Sequence, residues 1–251
     1  MAQQRLDKII ASTGRYSRRE VKTLVREGRV LVDGRIAASA EDKCDPLTAR
    51  ISVNGEELFY REHTYVMLHK PAGVLSATED GRGETVLDLL APEYRKIGLF
   101  PVGRLDKDTE GLLLLTDDGA LAHDLLAPKK HVDKVYFVRT DGAHDDAACN
   151  SFEQGITLGD GLECLPAKLE ILKSDAQSEA LITICEGKFH QIKRMLASRG
   201  KPVVYLKRLS MGSLTLDEGL SKGEYRLLTA EEIKNLRESG QFAQGKAGAD
   251  K

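Results

Sequence analysis

The chain has 251 residues, of which 41% are hydrophobic and 30% charged, and a formal net charge of −2. This composition indicates a globular protein with one large or two smaller cores and argues against disorder. No apolar run approaches the roughly 20 residues of a membrane span, and the start of the chain lacks the apolar core of a secretion signal. The four cysteines are too far apart for a zinc site, so we expect reduced thiols in a cytoplasmic protein.

The charge is unevenly distributed along the chain. Residues 1–35 contain nine Lys or Arg and four Asp or Glu, a net charge of +5, which leaves −7 for the remainder. A small basic segment ahead of an acidic body favours a dedicated module for a polyanion.

This basic segment contains helix and strand signals in close succession. Leu6, Ile9 and Ile10 predict the apolar face of a short first helix. Ser17 and Glu20 form an S-x-x-E capping box, which predicts the start of a second helix. The alternation in RVLVDGR then predicts a strand that turns at Asp-Gly.

Five basic residues of the segment are predicted to face solvent and contact RNA phosphates: Arg15, Arg18, Arg19, Lys22 and Arg26. The string RLDKIIASTGRYSRREVKTLVREGRVLVDGR resembles the S4 RNA-binding module throughout. The resemblance implies an affinity for RNA that falls with salt. The alternative interpretation is that these side chains only keep a helical pair soluble. We favour it less, because the charge is concentrated rather than mixed.

The rest of the chain predicts a second, larger domain. Strands are expected in TYVMLHK, LLLL, VDKVYFVRTDG and EALITICEG, and helices in TVLDLL, ALAHDLL, HQIKRMLASRG and EEIKNLRE. Thr116 or Asp117 is expected to cap the helix in ALAHDLL. Because strands and helices do not alternate regularly, we expect an α+β fold with a mostly antiparallel mixed sheet flanked by helices. The predicted boundaries are residues 1–62 for the first module and its linker, 63–239 for the second domain and 240–251 for a disordered tail.

The stretch GRLDKDTEGLLLLTDDG places Asp106 in a polar loop just before four leucines. A buried strand holds such a residue rigidly, and a positioned, ionised carboxylate can act as a nucleophile. By composition alone, Asp106 is more simply one more turn aspartate. The whole stretch, however, closely resembles the signature motif of the pseudouridine synthases, and in detail the S4-bearing branch that modifies ribosomal RNA. The resemblance implies that Asp106 is the catalytic residue. Arg104 is expected to tie down the loop or contact RNA.

A second motif surrounds Tyr136 in the predicted strand DKVYFVR. Alternation places Tyr136 on the face opposite to Val135 and Phe137. A tyrosine offers a ring that stacks on a base and a hydroxyl that moves a proton, although strand tyrosines most often serve packing. The family resemblance extends to this K-x-Y strand, with Lys134 as its lysine. It implies that the target base lies against Tyr136.

The third motif is EGKFHQIKRML, in which His190, Lys193 and Arg194 have the spacing of one helix face. Taken alone it is a solvated basic face. It resembles the family motif G-[RK]-x-H-Q-[IV]-[RK]-R-M, which implies that Lys193 pairs with Asp106 through its single ammonium group. His190 and Arg194 are expected to contact RNA or support the site. The stretch HKPAGVLSAT resembles the family's K-P-x-G motif and is predicted to support the site structurally.

The resemblance extends from Arg5 to about Leu236. It implies a small S4 (αL-type) RNA-binding domain followed by a pseudouridine synthase catalytic domain. We predict an enzyme that flips a uridine out of ribosomal RNA and isomerises it to pseudouridine, most like the 16S rRNA enzymes, whose usual site is position 516. Because the reaction redistributes atoms within one nucleoside, no cofactor and no metal are expected. The expected partner is ribosomal RNA in a pre-ribosomal particle, bound by a monomer.

Three alternatives remain open on sequence grounds. The substrate could be 23S rRNA. The chain could be a non-catalytic S4 RNA-binding protein, in which Asp106→Ala would change nothing. It could also be a nucleosidase that releases free uracil, although this would require a second, water-activating carboxylate that the sequence does not assign.

Overall fold

The computed structural model describes residues 3–242, with side chains described up to residue 239. These residues divide into a small unit, residues 3–64 and 90–99, and a large unit, residues 65–89 and 100–242.

The small unit consists of three short helices and six short strands. Its helices are α1 (Leu6–Ala11), α2 (Arg18–Arg26) and α3 (Pro92–Ile97). Its strands are β1 (Gln4–Arg5), β2 (Val30–Val32), β3 (Arg35–Ile36), β4 (Lys43–Cys44), β5 (Ile51–Val53) and β6 (Glu56–Leu58). An antiparallel sheet has the strand order β3-β2-β5-β6, while β1 pairs with β4.

Local chemistry explains where these elements begin and turn. The Ser17 hydroxyl accepts from the Glu20 amide, and the Ser17 amide donates to the Glu20 carboxylate, so the predicted capping box is present. Asp33 and Gly34 both have positive φ, 50° and 77°, which is the conformation of a tight two-residue hairpin turn between β2 and β3.

The stretch that the sequence predicted as the end of this module and a linker is a structural part of the small unit. It carries β4, β5 and β6. Ile51 and Val53 of β5 are buried with Leu6, Ile10 and Val21 in one apolar core. The sequence did not reveal these strands, because strands of two or three residues are too short to show a periodic pattern.

The large unit contains eleven strands and four α-helices within its described residues. The strands are β7 (Tyr65–Lys70), β8 (Phe100–Pro101), β9 (Glu110–Thr116), β10 (Lys134–Asp141), β11 (Ile156–Thr157), β12 (Glu163–Cys164), β13 (Lys168–Lys173), β14 (Gln177–Ile184), β15 (Val203–Met211), β16 (Leu214–Thr215) and β17 (Tyr225–Leu227). The helices are α4 (Gly119–Leu126), α5 (Asp146–Gln154), α6 (Gln191–Ala197) and α7 (Ala230–Phe242).

Nine of these strands form one sheet. Seven of them have the order β13-β14-β10-β15-β9-β7-β17, with β8 paired to β9 and β16 to β15. Among the described strands of this sheet only β9 and β15 run parallel, so the predicted α+β fold with a mostly antiparallel mixed sheet is confirmed. All seven residues of β9 are buried, which makes it a rigid central strand.

The parallel pairing depends on a glycine at the start of β9. Gly111 has φ +104°, and a Cβ atom built on it would lie 2.2 Å from the carbonyl oxygen of Arg208 in β15. Only glycine fits here, because any side chain would collide with the neighbouring backbone and strain its own.

Two local predictions were wrong in detail. The stretch TVLDLL is a set of turns, because the amide and hydroxyl of Thr85 both donate to the Asp88 carboxylate. The helix in this region is instead α3, which begins at Pro92. Helix α4 was predicted, but its cap is Asp118, whose carboxylate accepts from the Leu121 amide, and not Thr116 or Asp117.

Helix α7 extends to Phe242, so the first three residues of the tail predicted from Gly240 are helical, and the rest of that tail lies outside the described residues. Within residues 3–242, no helix is both long and apolar enough to cross a membrane.

Candidate active site

A buried lysine holds the loop that carries Asp106 in place. Lys70, at the end of β7, is fully buried, and its ammonium group donates to four main-chain carbonyls. These belong to Pro71 (2.9 Å), Asp106 (3.2 Å), Lys107 (3.3 Å) and Thr109 (2.9 Å). Burial lowers the pKa of Lys70 to about 8. The lysine of the K-P-x-G motif therefore acts on the backbone of the loop, consistent with its predicted supporting role.

Further contacts hold the same loop in place. The Gly73 amide donates to the Lys107 carbonyl at 2.7 Å, and the Ser76 hydroxyl donates to the Leu105 carbonyl at 2.8 Å. The Thr109 amide donates to the Asp106 carbonyl, which closes the turn before β9. With its backbone fixed in this way, the Asp106 carboxylate has a defined position, which precise chemistry requires.

The Asp106 carboxylate has two cationic or potentially cationic neighbours from the start of α6. Lys193 Nζ lies 2.9 Å from Asp106 Oδ2, and His190 Nε2 lies 3.5 Å from Asp106 Oδ1. Lys193 also contacts Asp108 Oδ1, at 2.5 Å. The structure thus brings together Asp106, Lys193 and His190, which the sequence had placed in two separate motifs.

The pKa values of this cluster follow from its contacts. Burial opposes the charge on Lys193, but hydrogen bonds to Asp108 and Asp106 outweigh it and hold the pKa of Lys193 above its usual value. The hydrogen bond from Lys193 likewise holds the pKa of Asp108 below its usual value. Lys193 is therefore charged at neutral pH and stabilises an ionised carboxylate beside it.

Tyr136 forms a wall of the same cleft. Its side chain is buried on β10, on the face opposite to Val135 and Phe137 as predicted, between Ile182 of β14 and Arg208 of β15. The cleft is small and open to solvent, with a volume of about 70 Å³. The three residues predicted to be catalytic, Asp106, Tyr136 and Lys193, all line it. Its lining also includes Arg104, Ile184, Lys188, His190 and Leu206.

Two residues of the sequence motifs, Arg194 and Lys134, do not line the cleft. Arg194 instead pairs with Asp160 at 2.5 Å. Lys134 is buried, and its ammonium donates to the carbonyls of Val132 and Cys185, while burial lowers its pKa to about 8. Lys134 therefore has a structural role at the edge of β10.

Sequence reasoning missed three residues of the site. Asp108 shares the ammonium group of Lys193 with Asp106. Lys188 lines the cleft and pairs with Glu186 at 3.0 Å. Phe189 lies between two cleft residues and is 73% exposed. The sequence hinted at Asp108 only through its spacing from Asp106, and at Lys188 and Phe189 only through their position directly before His190.

The five basic residues predicted to contact RNA belong to the small unit, and three of them have carboxylate partners. Arg18 contacts buried Asp7 at 3.2 Å, Arg15 contacts Glu56 at 3.1 Å, and Lys22 lies 3.7 Å from Glu41. The other two bond locally or line a groove: Arg26 donates to the Lys22 carbonyl, and Arg19 lines a surface groove with Tyr16 and Arg29. The pairs of Arg15 and Lys22 are exposed and therefore weak, so they do not prevent these two side chains from meeting phosphates, whereas Arg18 is paired with a buried carboxylate.

No group of three or more potential metal ligands occurs among the residues that the structure describes.

Comparison with known proteins decides the family. The model of the RNA pseudouridylate synthase family matches residues 64–198, and the S4 domain model matches residues 4–46. The chain belongs to the RNA pseudouridylate synthases. It carries the S4 domain that the basic segment predicted, and the prediction that it is a pseudouridine synthase is confirmed.

Several relatives match the synthase over nearly its whole length. An uncharacterized RNA pseudouridine synthase of Bacillus subtilis, YtzG, is 50% identical over 93% of this chain and 98% of its own. Ribosomal small subunit pseudouridine synthase A of Vibrio cholerae is 41% identical over 92% of this chain and 99% of its own. Ribosomal large subunit pseudouridine synthase B of Bacillus subtilis is 39% identical over 93% of this chain and 96% of its own.

A solved structure supports the same conclusion. A crystal structure of a pseudouridylate synthase, 36% identical in sequence, superimposes with a TM-score of 0.65 over 94% of this chain and all of that one. The S4-bearing branch, its fold and its enzyme class thus agree with the sequence prediction.

Proposed function

We propose that this synthase isomerises one specific uridine of small-subunit 16S ribosomal RNA to pseudouridine, with Asp106 as the nucleophile. The observation that carries the proposal is the contact of Asp106 with Lys193, 2.9 Å, in a cleft walled by Tyr136. A carboxylate held ionised by a neighbouring cation and fixed in its loop has the properties of an activated nucleophile.

The chemistry balances within one nucleoside. The bond from ribose C1′ to uracil N1 breaks, a bond from C1′ to C5 forms, the C5 hydrogen leaves as a proton, and N1 gains a proton. Asp106 attacks either ribose C1′ or the uracil ring at C6, and both routes use the same ionised carboxylate. Lys193 keeps Asp106 charged and aligned after RNA excludes water from the cleft. Tyr136 supports the base with its ring and is placed to move a proton.

The shape of the cleft favours a flipped nucleotide. Asp106 is about three-quarters buried, so a uridine stacked inside a helix cannot reach it. Extruding a base costs a few kcal/mol, and least in an unpaired region. We therefore propose that the substrate is a loop or an incompletely assembled region of a pre-ribosomal particle. The enzyme is proposed to bind it as a monomer in the cytoplasm.

The choice between ribosomal subunits is supported by the names of relatives. Small subunit enzymes of Vibrio cholerae, Vibrio parahaemolyticus and Salmonella typhimurium are 41%, 39% and 39% identical. The large subunit enzyme of Bacillus subtilis, at 39%, keeps 23S rRNA as the second candidate.

One mapping experiment tests both the reaction and the substrate. Pseudouridine is mapped across all ribosomal RNA from cells lacking the gene, complemented with wild type or with Asp106→Asn. We expect one 16S uridine, the family's usual position 516, to lose its modification and only wild type to restore it. Loss of a 23S site would transfer the proposal to the large subunit. Unchanged RNA would overturn it in favour of a non-catalytic S4 protein, and free uracil among the products of purified enzyme would indicate a nucleosidase.

A further inference from the structure

An exposed aromatic ring lies at the mouth of the Asp106 cleft. Phe189 is 73% exposed, the largest exposed fraction among the exposed large hydrophobic residues that the structure describes. Its chain neighbours, Lys188 and His190, both line the cleft. Single exposed hydrophobic residues are common, and Phe59 of the small unit is 72% exposed, so the inference depends on the position of Phe189 beside the cleft and not on its exposure alone.

The ring of Phe189 is held in a defined place by its neighbour. It stacks on the His190 ring, with centroids 3.8 Å apart and an interplanar angle of 19°. His190 has a positive φ of 49°, a left-handed conformation that costs free energy for a residue other than glycine. His190 Nε2 in turn lies 3.5 Å from Asp106 Oδ1. One face of the phenyl ring is therefore covered by histidine, while most of the side chain remains open to solvent.

We propose that Phe189 is a stacking platform for the nucleobase next to the target uridine, and thereby a substrate-binding residue of the synthase. This inference rests on the proposed function, because it requires an RNA strand that enters the Asp106 cleft. When the target uridine leaves its stack, the flanking base loses a stacking partner. The free face of Phe189 supplies one, and the resulting stack of base, Phe189 and His190 orders the strand beside the cleft.

The chemistry of a phenyl ring defines what the platform accepts. It has no hydrogen-bonding group, so it recognises the π-face of a base rather than its edge, and it tolerates all four bases. It contributes to the geometry of the strand around the target, while the cleft itself selects uridine. Stacking of this kind is realised both in the bound complex and in the transition state, so its loss raises KM more than it lowers kcat.

The test uses an RNA whose uridines carry tritium at C5, because pseudouridine formation replaces the C5–H bond and releases the label as water. In vitro transcripts of 16S and 23S rRNA serve as probes for purified full-length enzyme. Phe189→Ala is expected to lower kcat/KM about tenfold, mostly through KM. Phe189→Tyr and Phe189→Trp are expected to retain at least half of the wild-type value. Leu172→Ala removes an exposed hydrophobic side chain, 51% exposed on β13, and is expected to change nothing.

A chemical double-mutant cycle identifies the base. In a short RNA around the mapped uridine, the nucleotide on either side is replaced by an abasic one. With the contacted base missing, wild type and Phe189→Ala are expected to have the same kcat/KM; the other abasic position leaves the tenfold difference intact. A difference that persists with both abasic substrates, or a loss confined to kcat, would overturn the inference and assign Phe189 a role in positioning His190. If wild type releases no tritium from either transcript, whether naked or bound to ribosomal proteins, the proposed function itself fails.

Discussion

Asp106 and Asp108 share the ammonium group of Lys193, which lies 2.9 Å from Asp106 Oδ2 and 2.5 Å from Asp108 Oδ1. The two carboxylates differ in their surroundings, since the Asp106 side chain is 27% exposed and the Asp108 side chain 73%. The lysine therefore joins a partly buried carboxylate in the cleft to one in solvent.

The charge of Lys193 is expected to be essential for the reaction. Lys193→Met removes the cation that contacts the Asp106 carboxylate at 2.9 Å, so we expect kcat to fall about 100-fold or more. Lys193→Arg keeps the charge and should retain a substantial part of the activity. Single-turnover tritium release measures both. Equal losses in the two variants would show that side-chain shape, and not charge, matters.

Asp108 is expected to be dispensable. An exposed ion pair is worth at most about 1 kcal/mol, so Asp108→Asn should change kcat by no more than about fivefold. Asp106→Asn, the matched change two residues earlier, should abolish turnover. If Asp108→Asn is as inactive as Asp106→Asn, the assignment of the nucleophile within this loop is wrong.

Lys70 is expected to determine both the stability of the large unit and the position of Asp106. Lys70→Met leaves four inward-facing carbonyls without their shared donor, so we expect the free energy of unfolding to fall by about 3 kcal/mol, together with a loss of turnover. Urea denaturation measures the first quantity. Lys173→Met, at an exposed lysine of β13, is the control and should leave both unchanged.

The same lysine predicts an alkaline limit of activity. Burial lowers the pKa of Lys70 to about 8, so its ammonium loses a proton as the pH rises through 8, and its hold on the Asp106 loop weakens. The free energy of unfolding responds differently. Below pH 8 the folded state contains the buried charge of Lys70, which lowers the free energy of unfolding, and this destabilisation is lost as the pH rises from 8 to 10.5, the usual pKa of lysine. We therefore expect the rate to fall above pH 8 without a parallel fall in stability.

The buried Lys134 has a similar pKa, about 8, and provides the control for this pH profile. A Lys134→Met enzyme should retain the alkaline limit, because Lys134 does not bond the Asp106 loop. If the activity of Lys134→Met does not fall above pH 8, Lys134 and not Lys70 sets the alkaline limit.

Asp7 is expected to stabilise the S4 domain in a pH-dependent way. Its buried carboxylate accepts from Arg5 at 2.9 Å and Arg18 at 3.2 Å, and chiefly the hydrogen bond from Arg5 holds its pKa below the usual value. This stabilisation is present above about pH 4 and is lost as the pH falls through the lowered pKa. Asp7→Asn should lower the free energy of unfolding by about 2 kcal/mol at pH 7, and this effect should shrink as the pH falls through the lowered pKa of Asp7. Glu27→Gln, which breaks an exposed pair, should have little effect at either pH.

The sequence predicted most of this architecture because the informative signals are local. The capping box at Ser17, the turn at Asp33 and the buried leucines of β9 each determine a structure within a few residues. The proximity of Asp106 and Lys193 came from the family motifs, and the catalytic roles assigned to them stay predictions.

What the sequence did not predict depends on distant contacts. Arg194 follows Lys193 directly, yet it turns away to Asp160, a direction that helical spacing alone does not determine. The parallel pairing of β9 with β15 joins strands far apart in the chain, and Asp108 resembles any other loop aspartate until Lys193 is placed beside it. Tertiary packing, and not local propensity, decides each of these positions.

The position of β15 in the sheet also determines when the Asp106 cleft can form during synthesis of the chain. Strand β9 lies between β7, which precedes it in the chain, and β15, which is synthesised long after it. Chains emerge from the ribosome amino-terminus first, so the S4 domain helices and the Asp106 loop are exposed while Lys193 and β15 have not yet been made. The Asp106 cleft can therefore assemble only after α6 and β15 have been synthesised, and the nascent chain carries the S4 domain before this cleft is complete.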